Sequence, residues 1–279
     1  MKLFDRLANG WKLGKMSLST IRENPSLMLF PVISGISLIT LAISFFGGGY
    51  FLFGANLDAV LDGAGNNDWV LYLIGFGFYF INYFVIVFFN VGLVHCARMI
   101  FEDKETSFDE GLRYAATRIG TIASWALLAA TVGMILKSIQ ERAGALGGII
   151  TSIIGMVWSI ATFFVVPILA YEDVSPFEAV KRSSQIIKDK WGESLGANFS
   201  LGIFNLLGIL LIALPSGFIL GYVVHPIAGV IVGFALFLAI IVATAAAETV
   251  FLAAVYQHAN NQPVGNFKQD VLDDVFYRK

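Results

Sequence analysis

The chain has 279 residues, of which 57% are hydrophobic and only 14% charged, with a formal net charge of −2. Soluble domains carry about 25% charged residues, so this composition excludes an ordinary soluble globule and points to a multi-pass membrane protein. The charge balance gives no bias toward nucleic acid, and a single cysteine, Cys96, excludes an internal disulfide framework.

Residues 1–24 do not read as a cleavable signal. Their charges run on to Arg22, and the apolar stretch that follows, 27–53, far exceeds the roughly 7–15 residues of a signal core. It is expected as a retained anchor. Between residues 3 and 22, Leu3, Leu7, Trp11, Gly14, Leu18 and Ile21 recur at three- and four-residue steps. Lys12, Lys15, Ser19 and Arg22 fall on the other side. This predicts an amphipathic helix. Two placements fit it: in the headgroup layer, with Lys12, Lys15 and Arg22 toward lipid, or packed on the protein's own cytoplasmic surface.

Asn24-Pro25 predicts the N-cap and first residue of a helix. Six apolar runs then follow, 27–53, 69–101, 119–136, 146–171, 195–222 and 227–255. Each can supply the ~20 residues of a spanning helix. They are continuous rather than alternating, so helices are predicted and a barrel is not. Of the 18 Lys and Arg residues, only Lys137 and Arg142 fall on one side of the predicted membrane. By the positive-inside rule both termini are cytoplasmic in a cell membrane. Asp58, Asp62 and Asp68 in the first outer loop agree.

The segments between hairpins resemble one another. Phe101-Glu102-Asp103 leads to Ser107-Phe108 and Glu110-Gly111-Leu112-Arg113. Tyr171-Glu172-Asp173 leads to Ser175-Pro176-Phe177 and Glu178-Ala179-Val180-Lys181. Tyr256, Pro263 and Phe267 echo the pattern without the acids. The expected fold is an all-α membrane bundle of six transmembrane helices. It is a single domain of three repeated hairpins, units 1–103, 104–173 and 174–279, each preceded by a cytoplasmic amphipathic helix.

Several short motifs carry a family likeness: Trp11 with Asn24-Pro25 and Phe30-Pro31, Trp125-Ala126-Leu127-Leu128, Val166-Pro167, Tyr171-Glu172, Lys181-Arg182-Ser183, Trp191-Gly192 and Tyr256. On these the chain resembles an uncharacterised family of prokaryotic six-helix integral membrane proteins. That family is distantly similar to the membrane domain found beside some glycerophosphodiester phosphodiesterases. The resemblance implies an integral membrane protein without an assigned activity. The phosphodiesterase catalytic domain is not in this sequence, so that activity is not carried over.

Glu248 is the one acid deep in an apolar run, within Ala245-Ala246-Ala247-Glu248-Thr249. An acid at a helix centre costs about 2.5–3.5 kcal/mol on insertion scales. It can be a proton- or cation-linked site facing the bundle interior, or a structural carboxyl on a small-residue packing face. His95 and Arg98 are candidate partners from the second run. Asn198, Gly202 and Asn205 share a face of the fifth. One His and one Cys, His95 and Cys96, do not make a metal site. Pro167 and Pro215 predict kinks. The acid pairs Glu102-Asp103 and Glu172-Asp173 read as solvated loop acids or as a cation site between repeats. Lys181, Arg182, Lys188 and Lys190 can contact anionic headgroups, although the positive-inside bias also accounts for them.

The chain has no Gly-x-Ser-x-Gly, no His-Glu-x-x-His and no phosphate loop with Lys. No enzyme activity, cofactor or metal is expected. The expected partners are the lipid bilayer and anionic headgroups, and no nucleic acid. The function expected is a non-enzymatic membrane scaffold or lipid-interacting protein; the alternative is a small transporter or permease using a buried Glu248.

Overall fold

A computed structural model describes residues 3–53, 68–142, 144–191, 202–265 and 267, and every regular element among them is helical. Six helical stretches are long and apolar enough to cross a membrane: Pro25–Gly48, Leu73–Phe101, Ile119–Glu141, Gly147–Tyr171, Asn205–Val223 and Pro226–Ala259. The chain is therefore a multi-pass membrane protein.

Helix α1 spans Leu3–Glu23. Asn24 does not cap the helix after it. Its side-chain amide donates back to Thr20 O at 3.1 Å, closing the end of α1. Pro25, which has no N–H to cap, opens a 3₁₀ turn, Pro25–Met28. Helix α2, Leu29–Phe53, follows. Its Ser37 and Thr40 hydroxyls donate to Ile33 O and Ile36 O of the same helix. They need no outside partner in an apolar setting.

Helix α3, Asp68–Phe101, has 34 residues. At 1.5 Å per residue it is about 51 Å long and overshoots a hydrocarbon core of about 30 Å. Short helix α4, Phe108–Thr117, leads into α5, Ile119–Arg142. The fourth span is broken: α6, Gly144–Ala161, and α7, Val165–Tyr171, are separated by a turn just before Pro167. Helix α8, Pro176–Ile186, ends in a π-helical turn, Ile187–Trp191. The fifth span comprises α9, Gly202–Gly208, a π-helical turn, Ile209–Ala213, and α10, Leu214–Val223. The wide turn lies directly before Pro215, where the normal hydrogen-bond ladder loses a donor. Helix α11 is Pro226–Ala259. Of the fifth run, residues 195–201 lie outside the described residues.

The chain forms two compact units, Met1–Pro31 with Gly92–Gly111 and Gln185–Lys279, and Val32–Val91 with Leu112–Ser184. In the second unit α5 packs on α6, and Trp125 stacks on Trp158 at 5.9 Å and 5°. In the first, α1 packs along α11. Gly14, Ser17, Thr20 and Ile21 of α1 are buried, while Lys12, Lys15, Ser19 and Arg22 are exposed. The N-terminal helix thus rests on the protein through small residues and keeps its basic side outward. Helices α10 and α11 pack with Gly217 against Gly229 and Gly233, where backbones meet directly. After α11, Val264 and Phe267 are buried, and Phe267 meets Phe101 edge-on at 5.5 Å.

The tightest junction is where α3 crosses the start of α4. A Cβ on Gly92 would lie 2.7 Å from the Phe30 ring and 2.9 Å from Gly111 O; one on Gly111 would lie 2.7 Å from Cys96 Sγ. Phe30 fills the rest and meets Phe108 at 4.7 Å. Gly92→Ala is expected to destabilise the protein by about 1–3 kcal/mol through overpacking. Gly120→Ala, which meets nothing within 4 Å, should leave it unchanged. Thermal unfolding in detergent, read by loss of monodisperse protein, checks both.

Candidate functional site

The short helices α4 and α8 begin alike. Ser107 Oγ accepts from Glu110 N at 3.2 Å. Ser175 Oγ accepts from Glu178 N at 3.3 Å, while Glu178 Oε2 accepts from Ser175 N at 2.9 Å. The second is a complete capping box, and the Ser175 hydroxyl and backbone N–H hold the Glu178 carboxyl below its ordinary pKa. In the first, Glu110 turns instead toward His95, at 3.8 Å.

The two Glu-Asp pairs behave differently. At the end of α3, Asp103 adopts φ 55°, a left-handed conformation that Asp tolerates, and Lys104 N closes onto Met99 O at 2.9 Å. Glu102 accepts from Lys104 Nζ at 2.6 Å and from Arg98 Nε at 2.7 Å. These two cations, Lys104 first, hold its carboxyl below the ordinary range. At the end of α7 the chain leaves in extended form at Glu172. The Tyr114 hydroxyl donates to Ala170 O, and Arg118 Nη1 donates to Glu172 O at 3.3 Å. Both serve carbonyls that the ending helix leaves open. Arg182 Nε donates to Glu172 Oε1 at 3.3 Å, and Arg118 lies 3.7 Å from Asp173. Glu102 and Glu172 are therefore paired with the chain's own basic side chains at partly exposed helix ends. Among the described residues no group of three or more His, Cys, Asp or Glu is arranged to hold a metal.

The break in the fourth span is closed from α8. Phe163 N takes Ile160 O at 3.2 Å, so Phe164 N has lost its helical acceptor. The buried Ser183 Oγ accepts from it at 3.0 Å. Sequence reasoning missed this role of Ser183; the available signal was a small polar residue one helical turn after the buried Ala179.

The intramembrane candidates do not converge on one site. Glu248 is exposed rather than buried, and it has no hydrogen-bond or ion-pair partner among the described residues. On α11 the buried positions around it are Ala246, Ala247, Thr249 and Val250. Asn205 Oδ1 lies 2.8 Å from the Thr244 hydroxyl, a bond between α9 and α11. His95 pairs with Glu110, and Asn198 lies outside the described residues. Among the lipid-contact candidates, Lys12, Lys15, Arg22, Lys181 and Lys188 are exposed. Arg182 is engaged with Glu172, and the Lys190 side chain is outside the described set. Two features had no counterpart in the sequence reading. One is an open apolar groove of 680 Å³ between α10 and α11, lined by Phe218, Tyr222, Phe234 and Phe237 beside the glycines. The other is Gln257, which is fully buried, its amide atoms without a partner among the described residues.

A family model covers residues 69–266, most of the chain. The chain belongs to DUF6159, a family of unknown function. The DUF6159 match takes in the α3–α4 junction, the broken fourth span and all of α11. A search of curated proteins finds no match, and no link to a glycerophosphodiester phosphodiesterase is found.

Ser183→Ala is expected to cost about 1–3 kcal/mol by leaving a buried N–H unpaired. Ser184→Ala should be near neutral, because its hydroxyl only returns to Val180 O of its own helix. Comparing the melting points of the two variants checks this. Glu102 provides a pH test. Its folded pKa is lowered, so its contribution is present above the unfolded value of about 4.3 and is lost as pH falls through the folded one. Wild type should exceed Glu102→Gln in stability by at most about 1 kcal/mol at neutral pH, given solvent screening. A melting series on both proteins from neutral to strongly acidic pH should show that difference vanish.

Proposed function

We propose that this protein is a non-enzymatic scaffold of the cell membrane that engages anionic lipid headgroups through basic faces at one side of the bilayer. The observation that carries this is α1. One side packs on α11, and the other presents Lys12, Lys15 and Arg22 outward. Lys181 and Lys188 add exposed cations near α8. Exposed cations near an anionic surface contribute about 1 kcal/mol each.

In this reading both termini are cytoplasmic. The chain is a single membrane domain of three hairpins, each led by an amphipathic helix: α1, α4 and α8. The shared serine caps of α4 and α8 support the repeat. So do the buried small residues one turn apart on each, Gly111 with Ala115 and Ala179 with Ser183. The distant similarity to the phosphodiesterase-associated membrane domain brings no activity with it. The alternative, a transporter or permease, drew on a buried Glu248 and loses that support with the side chain exposed.

The full-length protein in mild detergent is titrated with zwitterionic or anionic lipid while its melting point is followed. Anionic lipid should raise the melting point more, by several degrees. The triple variant Lys12→Gln, Lys15→Gln, Arg22→Gln should remove most of the difference. Equal effects of the two lipids on the wild type would refute the headgroup reading.

A further inference from the structure

Helices α4 and α8 open with the same Ser-x-x-Glu sequence, yet their glutamates do different things. On α8, Glu178 Oε2 accepts from Ser175 N at 2.9 Å, and the capping box is complete. On α4 only half of the box is made. Ser107 Oγ accepts from Glu110 N, but the Ser107 N–H has no acceptor among the described residues. Glu110 is turned to His95 instead, its Oε1 lying 3.8 Å from Nε2. Counted back seven residues from the Glu-Asp pair of each repeat, the position of His95 on α3 is taken by Val165 on α7. The box stands open where that position is an imidazole and closed where it is an isopropyl group.

The backbone around the pair is fixed. Gly92 and Gly111 bring α3 and α4 too close for a Cβ on either, and Cys96 Sγ donates to Ser107 O at 3.4 Å. Glu110 can therefore exchange one partner for the other by side-chain rotation, with both helices in place. His95 is 15% and Glu110 42% exposed, so the pair lies at the rim of the junction, within reach of a proton.

Charge decides between the partners. A separation of 3.8 Å exceeds a hydrogen bond, so a neutral imidazole offers Glu110 little against the Ser107 N–H. A charged imidazole attracts the carboxylate across that gap. The other charged groups acting on His95 are Arg98 and Glu102 of its own helix. Glu102 is already bonded to Arg98 and Lys104, which leaves Glu110 to answer the imidazole. The 3₁₀ turn and first turn of α2, which bring Phe30 to the junction, contain no ionisable side chain, and neither do residues 260–267, which meet α3 at Phe101.

We propose that His95, Glu110 and Ser107 form a proton-operated cap at the α3–α4 corner: protonated His95 holds Glu110 away from the Ser107 N–H, and loss of that proton returns Glu110 to the complete box found on α8. The cap closes as pH rises through the histidine titration and opens as it falls. This device does not rest on the headgroup reading.

The test uses the full-length protein in mild detergent, isotopically labelled at serine nitrogen, with the Ser107 and Ser175 signals assigned by Ser107→Thr and Ser175→Thr. Exchange of the two backbone N–H protons with water is followed from about pH 5 to about pH 8 and expressed as the ratio of Ser107 to Ser175. Hydroxide catalysis, common to both, divides out. In the wild type the ratio should fall roughly fivefold across this range, the worth of one side-chain cap. His95→Gln should abolish the pH dependence. Glu110→Gln can still accept from Ser107 N but cannot pair with a charge, so its ratio should be low at every pH. Glu110→Ala should give a high ratio at every pH. Should His95→Gln fail to fold, the two Glu110 variants, altered at a partly exposed side chain, carry the test. A wild-type ratio that is flat or rises with pH, or a fall of the same size in His95→Gln or Glu110→Ala, would overturn the proposal.

Discussion

A peptide group inside a bilayer has no water to turn to, so every backbone N–H and C=O must be satisfied by protein. Much of this structure follows from that constraint at the places where helices break. Pro167 disfavours a continuous fourth span, and the break leaves the Phe164 N–H without its helical acceptor. Ser183 of α8 supplies one. A few residues on, α7 ends and its carbonyls are taken by Tyr114 and Arg118. The short helices α4 and α8 are thus bound to the spans beside them by the needs of backbone atoms, in addition to apolar contact. Removing α8 would cost more than its small buried face suggests, because it would expose an unpaired donor in the fourth span.

Charge obeys the same economy. Ionisable groups gather where helices end, and many are engaged there: Glu102 between Arg98 and Lys104, Glu172 with Arg182, and Arg118 on a helix terminus. Arg182 illustrates why counting cations overstates a lipid surface. It stands beside Lys181 in sequence, yet one of the pair is spent on Glu172 and the other is left outward. The basic side of α1 differs because its opposite face, built on Gly14 and Ser17, is fixed to α11. The packing of one side determines what the other side presents.

The six spans were legible because length and hydropathy are one-dimensional quantities. What lay beyond them was not, for identifiable reasons. Asn24-Pro25 carries a helix-start signature, but an asparagine amide can serve either flanking helix, and here it serves the earlier one. The close approach of Gly92 and Gly111 is invisible in a chain with 28 glycines, since most of them approach nothing. The direction of Glu248 was illegible for a deeper reason. In a soluble helix, polar and apolar faces give the phase. In α11 the lipid-facing and protein-facing sides are both apolar, so hydropathy has no phase to read. Residue size gives no phase either: Val230, Ile231 and Phe234 face outward, but so do Ala235 and Ala239, and Phe251 and Tyr256 are buried beside Ala253 and Ala254.

The packing around Glu248 explains why a glutamate occupies an outward position on α11. Inside, the helix is held by alanines, Thr244 and Thr249 at close range, where a carboxyl would displace a neighbour and require its own buried partners. Outside there is room, but an apolar solvent. The residue is tolerable there only if something polar arrives from beyond the helix, or if the helix lies near enough to an interface for the side chain to reach it. Glu248 is followed by eleven further helical residues of α11, which ends at Ala259. At 1.5 Å per residue that is about 16 Å, while the whole of α11 spans about 51 Å against a hydrocarbon core of about 30 Å. The overshoot, about 20 Å, exceeds that distance, so an α11 that starts at one face of the bilayer carries Glu248 out to the other face, where water and headgroups solvate the carboxyl.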